Sequence, residues 1–158
     1  MNRRFLFLML TVATIAFSCG KINPCGKIDC ANGGECKNGT CYCPVGYDGE
    51  SCDQEVRQRY AGYYRGTLVK DNVLYADFIL TSSAESVLST RLRFSQVYGD
   101  FLLNTYFEIP EQQYADGNSV CYVTAGQGFC DGEILQYEYT YTKDGVTYTG
   151  SFDGYKMM

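Results

Sequence analysis

The chain has 158 residues, 13 Lys plus Arg against 18 Asp plus Glu, a formal net charge of −5 and a sequence pI of about 4.7. An acidic chain without a Lys/Arg cluster argues against nucleic acid as a partner, because phosphates attract basic patches. There is no histidine, so the commonest proton shuttle at neutral pH and the commonest metal ligand are both missing.

The first element is a targeting segment. Asn2-Arg3-Arg4 is basic, Phe5 to Phe17 is apolar apart from threonines, and Ala16 and Ser18 supply a small-residue cut site. That layout predicts a signal peptide over residues 1–18. Its apolar run is shorter than the roughly 20 residues of a membrane-spanning helix, and no later stretch is apolar enough to span. The remainder is expected to be exported. Of the nine cysteines, six fall within residues 25–52. In an exported chain such density means disulfides, since so short a segment cannot bury a sufficient core. Cys121 and Cys130 form an isolated pair, and Cys19 is left over.

The segment Ala16-Phe17-Ser18-Cys19 resembles the lipobox of bacterial lipoproteins, with Ala16 where that motif usually carries Leu, Val or Ile. The resemblance implies a lipidated Cys19 as first mature residue and a membrane-anchored protein of the bacterial cell envelope. Each buried CH₂ of an acyl chain contributes about 0.8 kcal/mol to anchoring. Residues 19–24 would be anchor and tether, reaching about 20 Å when extended. The alternative is ordinary secretion after cleavage at the same bond, with Cys19 a free thiol.

From Cys25 the spacing is C-x4-C-x5-C-x4-C-x-C-x8-C, with Asn32-Gly33-Gly34 before the third of these cysteines and Gly46-Tyr47-Asp48-Gly49 before the sixth. Asn32-Gly33 and Asn38-Gly39 are tight-turn dipeptides. Cysteine count alone leaves the pairing open. Spacing and glycine placement together resemble the epidermal growth factor-like family over residues 25–52. That resemblance implies the pairs Cys25–Cys36, Cys30–Cys41 and Cys43–Cys52, each contributing roughly 2–4 kcal/mol by restricting the unfolded chain. The family's calcium site does not carry over: Gly20 to Pro24 before Cys25 has no carboxylate, and Asp29, Glu35, Asp48, Glu50 and Asp53 are scattered, whereas calcium needs several oxygen ligands together.

Residues 53–59 read as a polar linker. Residues 60–158 then form a separate domain rich in Tyr, Thr, Val, Leu and Phe, with Pro110 its only proline. Alternation puts Leu74, Ala76, Phe78 and Leu80 on one strand face, Leu88, Thr90, Leu92 and Phe94 on another, and Tyr137, Tyr139 and Tyr141 on a third. Breakers are expected at Lys70-Asp71-Asn72, Ser82-Ser83, Tyr98-Gly99-Asp100, Asp116-Gly117-Asn118 and Asp144-Gly145, the last a hairpin turn. Tyr122 to Phe129, with Gly126 and Gly128, reads as a loop between adjacent strands, closed by a Cys121–Cys130 disulfide. The fold class is therefore all-β: a small disulfide-rich module followed by an antiparallel barrel or a β-sandwich, without a convincing helix. Gly62-Tyr63-Tyr64-Arg65-Gly66 at the start and Gly150 to Lys156 at the end resemble the glycine–aromatic strands of small lipocalin-like barrel lipoproteins, although Gly-x-Trp, which opens true lipocalins, is lacking.

Chemistry is sparse. No histidine is available as base, the cysteines are accounted for, and there is no Gly-x-Ser-x-Gly elbow, phosphate loop or metal-ligand cluster. A non-enzymatic protein without cofactor or metal is expected. Tyr137, Tyr139 and Tyr141, with Tyr148 across the hairpin, could stack a sugar or an apolar ligand, or simply pack across strands. Arg91 and Arg93 could hold an anion, or form a solvated face. Two functions follow. One is a membrane-anchored lipoprotein whose module spaces a β-domain that binds a small apolar ligand, a glycan or a protein. The other is a secreted recognition or adhesion protein whose module makes the protein contacts.

Overall fold

A computed structural model describes residues 23–84 and 88–158. The signal segment, the lipobox and Cys19 lie outside the described residues.

Residues 23–52 are held by Cys25–Cys36, Cys30–Cys41 and Cys43–Cys52, the pairs implied by the resemblance. Strands β1 (Glu35–Lys37) and β2 (Thr40–Tyr42) form a hairpin. Its turn residues Asn38 and Gly39 have φ of 54° and 87°, a doubly left-handed turn that these residue types favour. Cys36 and Cys41 face each other across the hairpin. Each is bonded away from it, to Cys25 and Cys30, so two covalent links tie the hairpin to the preceding turns. Of the chain's buried apolar side chains only Cys52 belongs to this segment. Cross-links do here what a core does elsewhere.

The expected linker is structured instead. Strand β3 (Tyr47–Asp48) pairs with β4 (Gln54–Glu55), and a short helix, α1 (Val56–Tyr60), follows at once. Val56 and Tyr60, four residues apart, share one helical face, and both are buried. A single turn is unstable alone. It forms because that face packs into the domain that follows.

That domain is built from β5 (Gly62–Lys70), β6 (Val73–Ser83), β7 (Arg91–Phe94), β8 (Val97–Phe101), β9 (Tyr106–Ile109), β10 (Gln112–Asp116), β11 (Ser119–Cys130), β12 (Ile134–Lys143) and β13 (Val146–Lys156). Neighbours pair antiparallel, β13 returns to β5, and β9 pairs with both β8 and β11. Strand β10 runs on from β9 past Pro110, which has no N–H for a ladder, and pairs with the first half of β11. Counting β9 and β10 as one interrupted strand, the wall is a closed eight-stranded barrel rather than a sandwich. Closure leaves few open edges: β10 pairs with β11 alone, and β6 meets β7 only at Ser82 and Ser83.

Five sequence expectations are corrected by the barrel. Cys121 and Cys130 do not pair: they are buried free thiols near opposite ends of the single strand β11. At about 3.3 Å per residue their backbones stand far beyond disulfide reach. The supposed loop between them is continuous strand. Ser82-Ser83 ends β6 rather than breaking it, because the Ser82 hydroxyl is satisfied by the Tyr60 carbonyl at 2.7 Å. Tyr98-Gly99-Asp100 lies inside β8, and Gly99 is there for space: a Cβ on it, or on Gly128, would overlap the Phe107 ring. Finally, the Leu74–Leu80 face is split. Asp77 adopts φ of 58° at a register shift between β5 and β6. This bulge reverses the alternation, leaving Leu74 64% exposed while Leu80 is buried.

The core is aromatic, with Tyr60, Tyr64, Phe94, Phe107, Tyr141 and Phe152 almost fully buried. Phe107 stacks on Phe94 at 4.8 Å and meets Phe101 edge-on at 5.6 Å. The two ends of the barrel differ. One carries the β5–β6, β7–β8, β10–β11 and β12–β13 turns. The other is closed by α1. There the Tyr64 hydroxyl donates to the Tyr60 carbonyl at 2.9 Å, and the Tyr60 hydroxyl donates to the Asn104 carbonyl at 2.7 Å. Asn104, on the β8–β9 loop, also fixes the disulfide-rich segment. Its side chain accepts from Gly46 N–H at 3.0 Å and donates to the Tyr47 carbonyl at 2.8 Å. Arg59 and Asp48 add an ion pair at 2.7 Å. The segment is thus docked on the closed end, not strung before the barrel.

Candidate ligand-binding site

Period-two alternation on β12 turns Tyr137, Tyr139 and Tyr141 inward, with Gln136, Glu138 and Thr140 on the other face. The rings follow one another at 6.0 and 5.4 Å, and Tyr148 of β13 stacks on Tyr141 at 5.5 Å. All four sequence-flagged tyrosines are therefore brought together inside the barrel. They are packing residues, and their hydroxyls form a graded series. Tyr141, nearest the turn-bearing end, donates to Asp71 Oδ1 at 2.5 Å and accepts from the Asp71 N–H at 2.8 Å. Tyr139 shares a long 3.4 Å contact with the Tyr114 hydroxyl. Tyr137, farthest of the three from the turn-bearing end and 6% exposed, has no hydrogen-bond partner among the described residues. Burial pushes its hydroxyl well above the ordinary phenol range, so it is a neutral O–H.

Tyr137 and Tyr139 line a cavity of about 370 Å³. Its apolar wall comes from Leu68, Phe78, Leu80, Phe94 and Val97. The bulge at Asp77 matters here, because it brings Tyr75 as well as Phe78 to the cavity. Polar groups from Lys70, Ser95 and Gln96 line it too, all at the turn-bearing end, which is therefore the mouth. Volume and lining suit a small-molecule site, toward the lower end of the usual range of about 300–1,000 Å³.

An ion-pair network frames the mouth. Lys143 Nζ donates to Asp71 Oδ2 and Asp116 Oδ2, each at 2.7 Å, and Lys70 Nζ donates to Asp116 Oδ1 at 2.7 Å and Gln96 Oε1 at 3.4 Å. Hydrogen bonds from Lys143 and Lys70 hold the Asp116 carboxyl below its usual range. For Asp71, burial pulls upward, but the bonds from Lys143 and Tyr141 outweigh it and the carboxyl again sits low. Asp116 and Asp71 in turn raise Lys143. The network ties the β5–β6 turn to the ends of β10 and β12. Lys70, Asp71 and Asp116 read in the sequence only as turn punctuation, and Lys143 does not stand out there at all. The missed signal was topological: in an up-and-down barrel alternate turns share one end, so Lys70, Asp71, Asp116 and Lys143 had to meet.

Other candidates resolve differently. Arg91 is committed to Asp100, through two bonds of 2.6 Å, and lies over the Tyr98 ring at 4.0 Å. Arg93 has interactions of its own. Neither forms an open anion site. A broader groove of about 750 Å³ crosses the outer wall beside Tyr106, Glu108, Phe129, Glu138 and Asp153. It is larger but lies on the outside of the wall. Among the described residues no group of three or more His, Cys, Asp or Glu is placed to hold a metal ion, and no helix is long and apolar enough to cross a membrane.

The chain matches no protein-family model and no solved structure. It is similar to fibropellin-1 of Strongylocentrotus purpuratus, with 38% identity over 56 residues. That match takes in 33% of this chain and 5% of the length of fibropellin-1.

Proposed function

We propose that this is an exported, non-catalytic recognition protein. Its barrel admits a small apolar ligand through the mouth, and its disulfide-rich segment, an epidermal growth factor-like module, makes contacts with a protein partner. The observation that carries the reading is the cavity: one end of the barrel is stoppered by α1, while the other leads to an apolar space. The module supports the second half. Docked on the closed end, it leaves the mouth unobstructed and presents Tyr42, which is 58% exposed with Lys37 5.4 Å above its ring.

The test uses N-phenyl-naphthylamine, a neutral probe whose fluorescence rises in apolar surroundings. It should bind the purified mature protein at one site, and Leu68→Trp, which fills the cavity from a half-buried wall position, should abolish binding while the fold is retained. Absence of binding, or binding indifferent to Leu68→Trp, would reject the interior site.

The second reading is a membrane-anchored envelope lipoprotein. It is favoured by Cys19, which stands just after the predicted cut site. A lipid there would set the docked module near the membrane and the mouth away from it. Cell fractionation of Cys19→Ala decides: release into the medium supports anchoring, and unchanged membrane association excludes it.

A further inference from the structure

Two polar groups in the cavity point to the kind of molecule it holds. The first is the Tyr137 hydroxyl. A buried tyrosine normally finds a partner for its O–H, and the two tyrosines above it do so within the protein. A phenylalanine at 137 would fill the same volume, with the same contacts to Phe94 at 5.5 Å and Phe152 at 5.9 Å, and leave nothing unsatisfied. The hydroxyl is not sealed in the core but lines the cavity, where it is free to meet something that enters. The second group is Lys70. Among the described lining residues it is the one charged side chain. Its ammonium has three donors, and Asp116 and Gln96 accept two of them. The third remains for a ligand at the mouth; the nearby Asp116 carboxylate, which accepts from Lys70 at 2.7 Å, is also held by Lys143 at 2.7 Å, so its charge is offset by two ammonium groups.

We infer that the ligand is a compact organic acid: an apolar, ring-sized body among Phe78, Leu80 and Phe94, a carboxylate or similar anion at Lys70, and a hydrogen-bonding group at its far end that meets Tyr137. This rests on the interior-site reading and adds the chemistry to it. Charge-assisted bonds are about twice as strong as neutral ones. The acid group should thus contribute most of the selectivity, and Tyr137 should choose among acids.

The experiment is ligand-observed NMR titration of the full mature chain with naphthoate, its neutral isostere naphthamide, and naphthoate carrying a hydroxyl on the distal ring. Naphthoate should bind about tenfold more tightly than naphthamide, and Lys70→Met should erase that ratio while N-phenyl-naphthylamine still binds. The distal hydroxyl should add a further severalfold, lost in Tyr137→Phe without change in naphthoate affinity. Equal affinity for acid and amide, or a preference that survives Lys70→Met, would overturn the inference. So would indifference of the hydroxylated probe to Tyr137→Phe. If the neutral probe binds and is blocked by Leu68→Trp while these preferences are absent, the ligand class fails and the cavity stands. If the neutral probe does not bind either, both fail.

Discussion

The disulfide-rich segment and the barrel solve the same problem by opposite means. Residues 23–52 contribute one side chain, Cys52, to the buried apolar set and rely on three disulfides. The barrel has two cysteines, leaves both as free thiols, and relies on interlocked rings. What the difference teaches is where each part can carry function. A cross-linked segment with little core can give nearly all its surface to contacts. A barrel with an aromatic core can leave part of its interior unfilled, provided the rest is packed and one end is closed.

The largest expected effect comes from reduction. A strong reductant under native conditions should abolish the structure of residues 23–52, because each lost disulfide removes roughly 2–5 kcal/mol. The barrel should keep its hydrogen-exchange protection. Unfolding of both together would break the comparison. Next is Phe107→Ala, which empties the space beneath Gly99 and Gly128. It should cost the barrel about 3–5 kcal/mol in urea unfolding and leave the three disulfides intact by mass mapping. Smaller is Asn104→Ala, which deletes the two side-chain hydrogen bonds holding the segment. About 1–2 kcal/mol of coupling should disappear, seen as faster exchange at Gly46 with barrel stability nearly unchanged.

The smallest effect is at the mouth. Asp71 and Asp116 have carboxyls held low by Lys143, Lys70 and Tyr141. Carboxylates depressed in the folded state contribute stability above their unfolded value of about 3.9 and lose it as pH falls through the folded one. Amide shifts of the Asp71 turn should therefore stay constant from neutral pH down to about that value and move only below it. Loosening of the mouth already at mildly acidic pH would contradict the network.

Much of this was legible in the chain, and the failures have identifiable causes. Tyr137, Tyr139 and Tyr141 announced a strand face by alternation, and Asn38-Gly39 and Asp144-Gly145 announced their turns. The latter pair has φ of 51° and 79°. What alternation cannot report is a bulge. Asp77 shifts β6 by one residue, so Leu74 goes outward where counting placed it inward. Glycines misled in the same way: Gly99, Gly126 and Gly128 read as loop punctuation, whereas they make room inside strands for Phe107 and Tyr139. The helix α1 hid in the polar-looking Val56-Arg57-Gln58-Arg59-Tyr60, whose only signal is two apolar residues four apart. The cavity was illegible, because it depends on which hydroxyls find partners, and Tyr114 and Asp71 come from a strand and a turn distant in sequence.

The most direct test of the account is a methyl NMR titration with N-phenyl-naphthylamine on protein labelled at leucine and valine. Binding through the mouth predicts shifts at Leu68, Leu80 and Val97, which line the cavity, and none at Leu135 near the closed end or at Leu102 on the outer groove. Shifts confined to Leu102, with Leu68, Leu80 and Val97 unmoved, would place binding on the outer wall and contradict the account.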